Sequence, residues 1–161
     1  MSRLESFIRR MSAQRDILDM ICRDMDLLEG PVVELGLGNG RTYDHLRERL
    51  PGRRIIAFDR VNAANRGSLP PEGDLILGEI DQTSKPFVGI NAALVHADIG
   101  SGYDDQDALN LRWLPQLAVD LLAPGGIAVS GVRLDHPQLT PLPIPAHIPQ
   151  GRYFLYRRKQ S

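Results

Sequence analysis

Between Val32 and Thr42 the chain reads V-V-E-L-G-L-G-N-G-R-T, an apolar run closed by an acidic residue and three glycines at alternate positions. The first four residues predict a short buried strand. Gly36, Gly38 and Gly40 predict a loop whose main chain takes conformations closed to other residues and lies bare against a ligand, with no Cβ in the way. A helix expected from about Arg41 and Thr42 would aim its free N–H groups and the positive end of its dipole at an anion bound there. Strand, loop and helix together predict a nucleotide-type cofactor, adenosine with a carboxylate-bearing tail. A plain tight turn is the competing reading of the glycines.

Spacing separates the cofactors. Dinucleotide loops read G-x-G-x-x-G, whereas this chain reads E-x-G-x-G-x-G, with Glu34 two residues before the first glycine. The segment resembles motif I of the class I S-adenosylmethionine-dependent methyltransferases, in which the acidic residue helps anchor the glycine loop and the methionine ammonium of the cofactor. The resemblance implies a cofactor site made of Glu34, the loop residues Gly36, Leu37, Gly38, Asn39 and Gly40, and Arg41 and Thr42 at the helix start.

Two later segments extend it. Arg53 to Asp59 is a β-rich run ending in a carboxylate nineteen residues after Gly40. In open α/β sheets ligands bind beyond the carboxyl ends of the strands, where an acidic residue accepts hydrogen bonds from ribose hydroxyls. Asp59 is the expected ribose ligand, with Arg60 beside it in the cofactor site; a turn aspartate capping the next segment is the alternative. Asp74 to Ile80 ends in Gly-Glu-Ile. In the family resembled, a Gly-Asp-apolar tripeptide follows the third strand and its carboxylate meets the exocyclic amine of adenine. Here Glu79 replaces the aspartate with a longer side chain of the same acceptor chemistry, and Ile80 is expected against the ring. A solvated charge at a strand end is the other reading of Glu79.

The fourth strand is expected in Asn91 to Tyr103, apolar through Val95 and then polar and glycine-rich. In the resemblance its end faces the methyl group and the amino-acid tail of the cofactor, which brings His96 and Asp98 toward the reacting centre and into the cofactor site. Asp98 is expected to bind the ammonium or take a substrate proton, and His96 to serve as a base near neutral pH. Tyr103 completes the catalytic candidates, with Asp98 first. A structural role for a His or Asp at a strand end stands beside these. No Asn/Asp-Pro-Pro-aromatic tetrapeptide follows, which argues against methylation of DNA bases.

With 19 basic and 20 acidic residues the chain has no global field to draw nucleic acid or an anionic membrane, so a small-molecule acceptor is the expected partner. The one cysteine, Cys22, excludes an internal disulfide and suits a reducing compartment. No apolar run approaches the roughly 18 residues of a membrane span, and the N-terminus carries charges where a signal peptide needs its apolar centre. A cytoplasmic protein of one domain is expected: residues 1–30 as a helical extension, 31–133 as the cofactor-binding core, 134–161 as a short proline-rich segment and a final strand.

Leu4, Phe7, Ile8 and Met11, then Ile17, Met20, Ile21 and Leu28, recur at helical spacing and predict two leading helices or one bent one. Arg9, Arg10 and Arg15 are expected on a solvated face, with the rim of the pocket as their other place. Thr42 to Leu50 should be the helix after the loop, and Gln106 to Leu122 an amphipathic helix closed by Pro124-Gly-Gly126, with Trp113 at its sheet-facing edge. Ile127 to Val132 follows as a fifth strand. The fold class is α/β: a Rossmann-like, doubly wound, mostly parallel sheet with an antiparallel C-terminal strand, preceded by N-terminal helices. The tail departs from the family's usual plan, because five prolines between Asp135 and Gln150 leave no room for the usual helix. Leu139 to Ile144 is expected as an extended edge segment and Arg152 to Arg158 as the final strand. The substrate cover of larger relatives is then missing or comes from another subunit, which makes a homo-oligomer attractive; the default is that the first helix packs on its own domain. His136 and His147 in the tail are expected to be inert.

The expected activity is in-line transfer of a methyl group from S-adenosylmethionine to a small acceptor. No metal is expected, since His96-x-Asp98 falls short of a zinc ligand set, although Asp98, Asp104 and Asp105 keep open the divalent-ion chemistry of catechol-type relatives. Two other classes remain. A cofactor-binding protein without transferase activity would share every motif above. A nicotinamide oxidoreductase should show the G-x-G-x-x-G spacing, which is absent.

Overall fold

The computed structural model describes residues 1–100 and 103–160. Ser101 and Gly102, part of the glycine-rich run after the fourth strand, and Ser161 lie outside the described residues. Seven strands form one sheet in the order β3-β2-β1-β4-β5-β7-β6. Strands β1 (Val32–Leu35), β2 (Ile55–Asp59), β3 (Leu75–Leu77), β4 (Ala92–Ala97) and β5 (Leu122–Ser130) are parallel, and β7 (Phe154–Arg158) runs antiparallel between β5 and β6 (Leu139–Leu142). This is the doubly wound, mostly parallel sheet with an antiparallel C-terminal strand that the sequence predicts. Strand order reverses between β1 and β4, the place where open α/β sheets leave a crevice for ligands.

The strands are apolar on both sides because both faces are covered. One face carries Val32, Ile55, Leu94 and Ile127 against Ile17, Leu18 and Ile21 of α1 (Arg3–Asp24) and Leu46 of α2 (Arg41–Arg49). The other carries Val33, Leu35, Ile56 and Val95 against Leu114, Ala118 and Leu121 of α5 (Leu114–Leu121). The leading helix is one continuous element, started by Ser2, whose hydroxyl accepts from the Glu5 amide at 3.0 Å.

Three sequence expectations need correction. The helix predicted over Gln106 to Leu122 is two, α4 (Asp104–Asn110) and α5, separated at Leu111 to Trp113. Pro115 is the cause: it lacks an N–H and its ring would strike the carbonyl four residues back, so it sits in the first turn of a new helix. Pro124-Gly-Gly does not precede the fifth strand but lies inside it, as an irregularity between the Ala92–Leu122 and Leu94–Ile127 pairings, with Gly125 at φ +84°. The third strand stops at Leu77, and Ile80 opens the short helix α3 (Ile80–Thr83). Among the described residues no helix joins β5 to β6. The Leu134 amide donates instead to the Tyr156 hydroxyl at 2.8 Å, tying the loop to β7. No helix among the described residues is long and apolar enough to cross a membrane.

Candidate functional site

The glycine loop is fixed to the ends of its neighbouring strands. The amide of Gly36 donates to the Phe58 carbonyl at 2.9 Å, and Gly36 has φ +93°. A Cβ on Gly36 would stand 2.6 Å from the Asp98 carbonyl oxygen, so this glycine lets β1 and β4 end side by side. Gly38 differs. At φ +55°, a Cβ there would meet nothing within 4 Å, so its bare backbone faces open space, and its amide donates to Asp59 Oδ2 at 2.8 Å.

Two clefts border that loop, and a third adjoins them beyond β4. The first, about 350 Å³, lies between the ends of β1, β2, β3 and β4, and its walls include Gly38, Asp59, Arg60, Glu79, Ile80 and Trp113. Asp59 Oδ1 accepts from the Arg60 amide at 2.7 Å, which leaves each carboxylate oxygen a lone pair for a further donor. Arg60 and Glu79 approach to 3.2 Å, but both side chains are mostly exposed and the pair holds little. The second cleft, about 310 Å³, lies between the loop and α1, among Arg10, Gln14, Leu37, Asn39, Arg41 and Thr42. The third, about 400 Å³, is bounded by Arg10, Val132, Gln150, Arg152 and Tyr153. Asp98 and Gly100 line all three. The Asp98 carboxylate is steadied by the buried Gln14, whose Nε2 donates to Oδ2 at 3.0 Å.

Glu34 and His96 stand behind the loop instead. Both are fully buried. They are opposite each other in the β1–β4 register, and the His96 Nδ1 lies 3.0 Å from each Glu34 carboxylate oxygen. The Thr42 hydroxyl also donates to Glu34, so the acid joins β4 to the first turn of α2 beneath the glycines. Burial disfavours the imidazolium of His96, but the charge of Glu34 and the hydrogen bond to it, with Asp98 adding, outweigh that and raise its pKa above the ordinary value. His96 lines none of the three clefts, whereas Asp98 lines all of them. Tyr103 is 72% exposed just before α4 and is likewise absent from the cleft walls.

Some wall residues escaped the sequence reading. Trp113 lines the first cleft together with Gln106 and Asn110, and its position at a helix break just before a proline was the available signal. Arg10 takes the rim position rather than a purely solvated one. Gln14 and Tyr153 carried no local signal. His136 is bonded to the Gln116 side chain and His147 to Asp16, and neither lines these clefts. Among the described residues no group of three or more metal-binding side chains exists.

The acids at Asp59 and Glu79, the apolar Ile80 and Trp113, and the bare backbone of Gly38 suit an adenosine with a charged tail, and the comparisons name it. A family profile described as S-adenosyl-L-methionine methyltransferase matches residues 1–158. The crystal structure of an S-adenosyl-L-methionine methyl transferase from Silicibacter pomeroyi DSS-3 is 44% identical, over 98% of this chain and 99% of that one, with a TM-score of 0.87. Two more distant structures share the fold. The N-methyltransferase NodS from Bradyrhizobium japonicum WM9 has 16% identity over 96% of this chain and 97% of that one, with a TM-score of 0.62. The Burkholderia thailandensis 1,6-didemethyltoxoflavin-N1-methyltransferase, solved with its acceptor and S-adenosylhomocysteine, has 16% identity over 92% and 79%, with a TM-score of 0.57. No protein of curated function matches the chain. A profile spanning nearly every residue and a 44% identical relative of equal extent agree with the geometry: the chain belongs to the S-adenosyl-L-methionine methyltransferase family, and its cofactor is S-adenosylmethionine.

Proposed function

We propose that this chain transfers the methyl group of S-adenosylmethionine to a small-molecule acceptor that meets it beside Asp98. The observation that carries the reading is the junction of the three clefts at Asp98 and Gly100, directly beyond β4. One cleft has the acceptors for adenosine, one has the loop backbone and Arg41 for the amino-acid tail, and the third leaves room for a second molecule. Asp59 takes the ribose hydroxyls, Glu79 the adenine amine, and Ile80 and Trp113 supply apolar walls. Leu37, Gly38, Asn39 and Gly40 form the loop against the tail, and Arg41 and Thr42 begin the helix whose N–H groups face it.

S-adenosylmethionine brings an activated methyl group on a sulfonium, so the protein's task is placement and electrostatic matching. Asp98 is the group positioned to hold an ammonium or to accept a proton from the acceptor. Glu34 and His96 act through the loop, holding Thr42 and the start of α2 in place. Tyr103 ranks last among the catalytic candidates because its exposed side chain lies outside the cleft walls.

Calorimetric titration with S-adenosylhomocysteine, with NAD run alongside, tests this. Saturable binding of S-adenosylhomocysteine alone is expected. Asp59→Ala should weaken it about 30-fold, the effect of two hydrogen bonds of roughly 1 kcal/mol each. Binding of NAD alone, or an undiminished affinity in Asp59→Ala, overturns the assignment of the first cleft.

A further inference from the structure

The third cleft holds an arginine whose side chain no described residue engages in a hydrogen bond or ion pair. Arg152 is half-buried and its amide donates to the Pro149 carbonyl at 3.3 Å, yet among the described residues its guanidinium makes neither an ion pair nor a hydrogen bond. Its neighbours in the tail behave otherwise: Arg157 donates to the Gly125 carbonyl at 3.0 Å and Arg158 to that of Leu122. A guanidinium withdrawn from water without a partner is poorly placed unless an anion comes to it. Arg10 enters the same cleft from α1, also without an ion pair, its guanidinium 5.7 Å from the centre of the Phe7 ring. Tyr153, between them, lines the cleft as well. Burial pushes its hydroxyl well above the ordinary range, Asp98 adds to this, and Arg10 and Arg152 oppose it, so it remains a hydrogen-bond donor at any physiological pH.

Arg10 and Tyr153 line the loop cleft as well, but Arg152 is separable from the cofactor's own tail. Arg41 lines the loop cleft and not the third, whereas Arg152 lines the third and not the loop cleft. Two acidic residues, Asp98 and Asp107, also line the third cleft, matching its two arginines in number. That balance admits one negative charge beside the arginines and opposes two.

Resting on the function proposed above, we infer that the acceptor carries a carboxylate, bound in the third cleft by Arg152 with Arg10 and the Tyr153 hydroxyl, which turns the rest of the molecule toward Asp98. The planar fork of a guanidinium matches a carboxylate in two parallel hydrogen bonds. A phosphate shares the oxyanion chemistry but brings the second charge that Asp98 and Asp107 repel.

Four probes of one shape test this on protein saturated with S-adenosylhomocysteine: benzoate, phenyl phosphate, benzamide and benzamidine. Benzoate is expected to bind at least about tenfold more tightly than the neutral and cationic probes, and no more weakly than phenyl phosphate. Arg152→Gln should lower benzoate affinity about tenfold while leaving that of S-adenosylhomocysteine unchanged. Benzamide or benzamidine binding as well as benzoate, no saturable benzoate binding, or benzoate binding indifferent to Arg152→Gln overturns the anion site. Clear preference for phenyl phosphate overturns the carboxylate. A parallel loss of S-adenosylhomocysteine affinity in Arg152→Gln returns the arginine to the cofactor. If the unaltered chain fails to bind S-adenosylhomocysteine, the methyltransferase reading fails by itself. The probe series on unliganded protein still decides the anion site.

Discussion

At the scale of single residues, the buried Glu34–His96 pair is where charge and stability meet. An imidazole with no exposed surface is held at 3.0 Å from a carboxylate, and its Nε2 finds no partner among the described residues. Its pKa is raised because the attraction of Glu34 outweighs the burial. A group whose folded pKa lies above its unfolded value contributes stability in full below the unfolded value, about 6.5, and loses it as pH climbs through the folded value. The melting temperature should therefore fall as pH rises from about 6.5. His96→Asn keeps a donor near the Nδ1 position and removes the titration. It should cost on the order of 3 kcal/mol below that pH, as expected for one partner of a buried pair, and flatten the profile above it. Thermal melts across the range decide: parallel profiles for the two proteins would mean that folding leaves the His96 pKa unshifted, and a wild-type protein that instead loses stability below about pH 6.5 would mean that His96 is neutral in the fold.

At the scale of elements, two glycines in one loop do different work, and a matched pair of variants separates them. Gly36→Ala places a methyl 2.6 Å from the Asp98 carbonyl oxygen at a positive φ, which should cost about 2–4 kcal/mol and drive Asp98 out of position. Gly38→Val meets no atom within 4 Å, so the fold should survive with roughly 1–3 kcal/mol of backbone strain while S-adenosylhomocysteine binding is lost to the new side chain. Melting and calorimetry on both variants check this; a Gly38→Val protein that binds normally would remove the loop from the site. The same elements show what one sequence can carry. The strand ends at Glu34, Asp59 and Asp98 were legible because an apolar run, a carboxylate and glycines fall within a few residues of each other. The break between α4 and α5 was not read from Gln106 to Leu122, since the leucine spacing runs through it and only Pro115 interrupts. Pro124-Gly-Gly was read as a turn because such residues usually end elements, whereas here pairing with β4 carries the strand through them. Trp113 was assigned to packing, and it does pack against the core while lining the first cleft.

At the scale of the whole molecule, the contacts that close the site link residues far apart in the chain, which is why local pattern gave no sign of them. Gln14 reaches Asp98 across 84 positions, and His147 meets Asp16 at 3.0 Å across 131. Both bonds belong to α1, whose Asp19 also takes His45 at 2.7 Å and Arg49 at 2.9 Å from α2. The helix buries Ala13, Gln14, Ile17, Leu18 and Ile21 on its own chain while Arg10 and Met11 face the loop cleft. The cover that the short tail lacks is thus supplied in part by the chain's own first helix. One chain should then hold one S-adenosylhomocysteine, with an affinity that does not change with protein concentration. Calorimetry at widely separated chain concentrations, with sedimentation in parallel, measures it. Affinity that rises together with association would show that a neighbour finishes the site. Leu4, Phe7 and Ile8, exposed by 67%, 40% and 47% at the start of α1, would then be the surface to alter first.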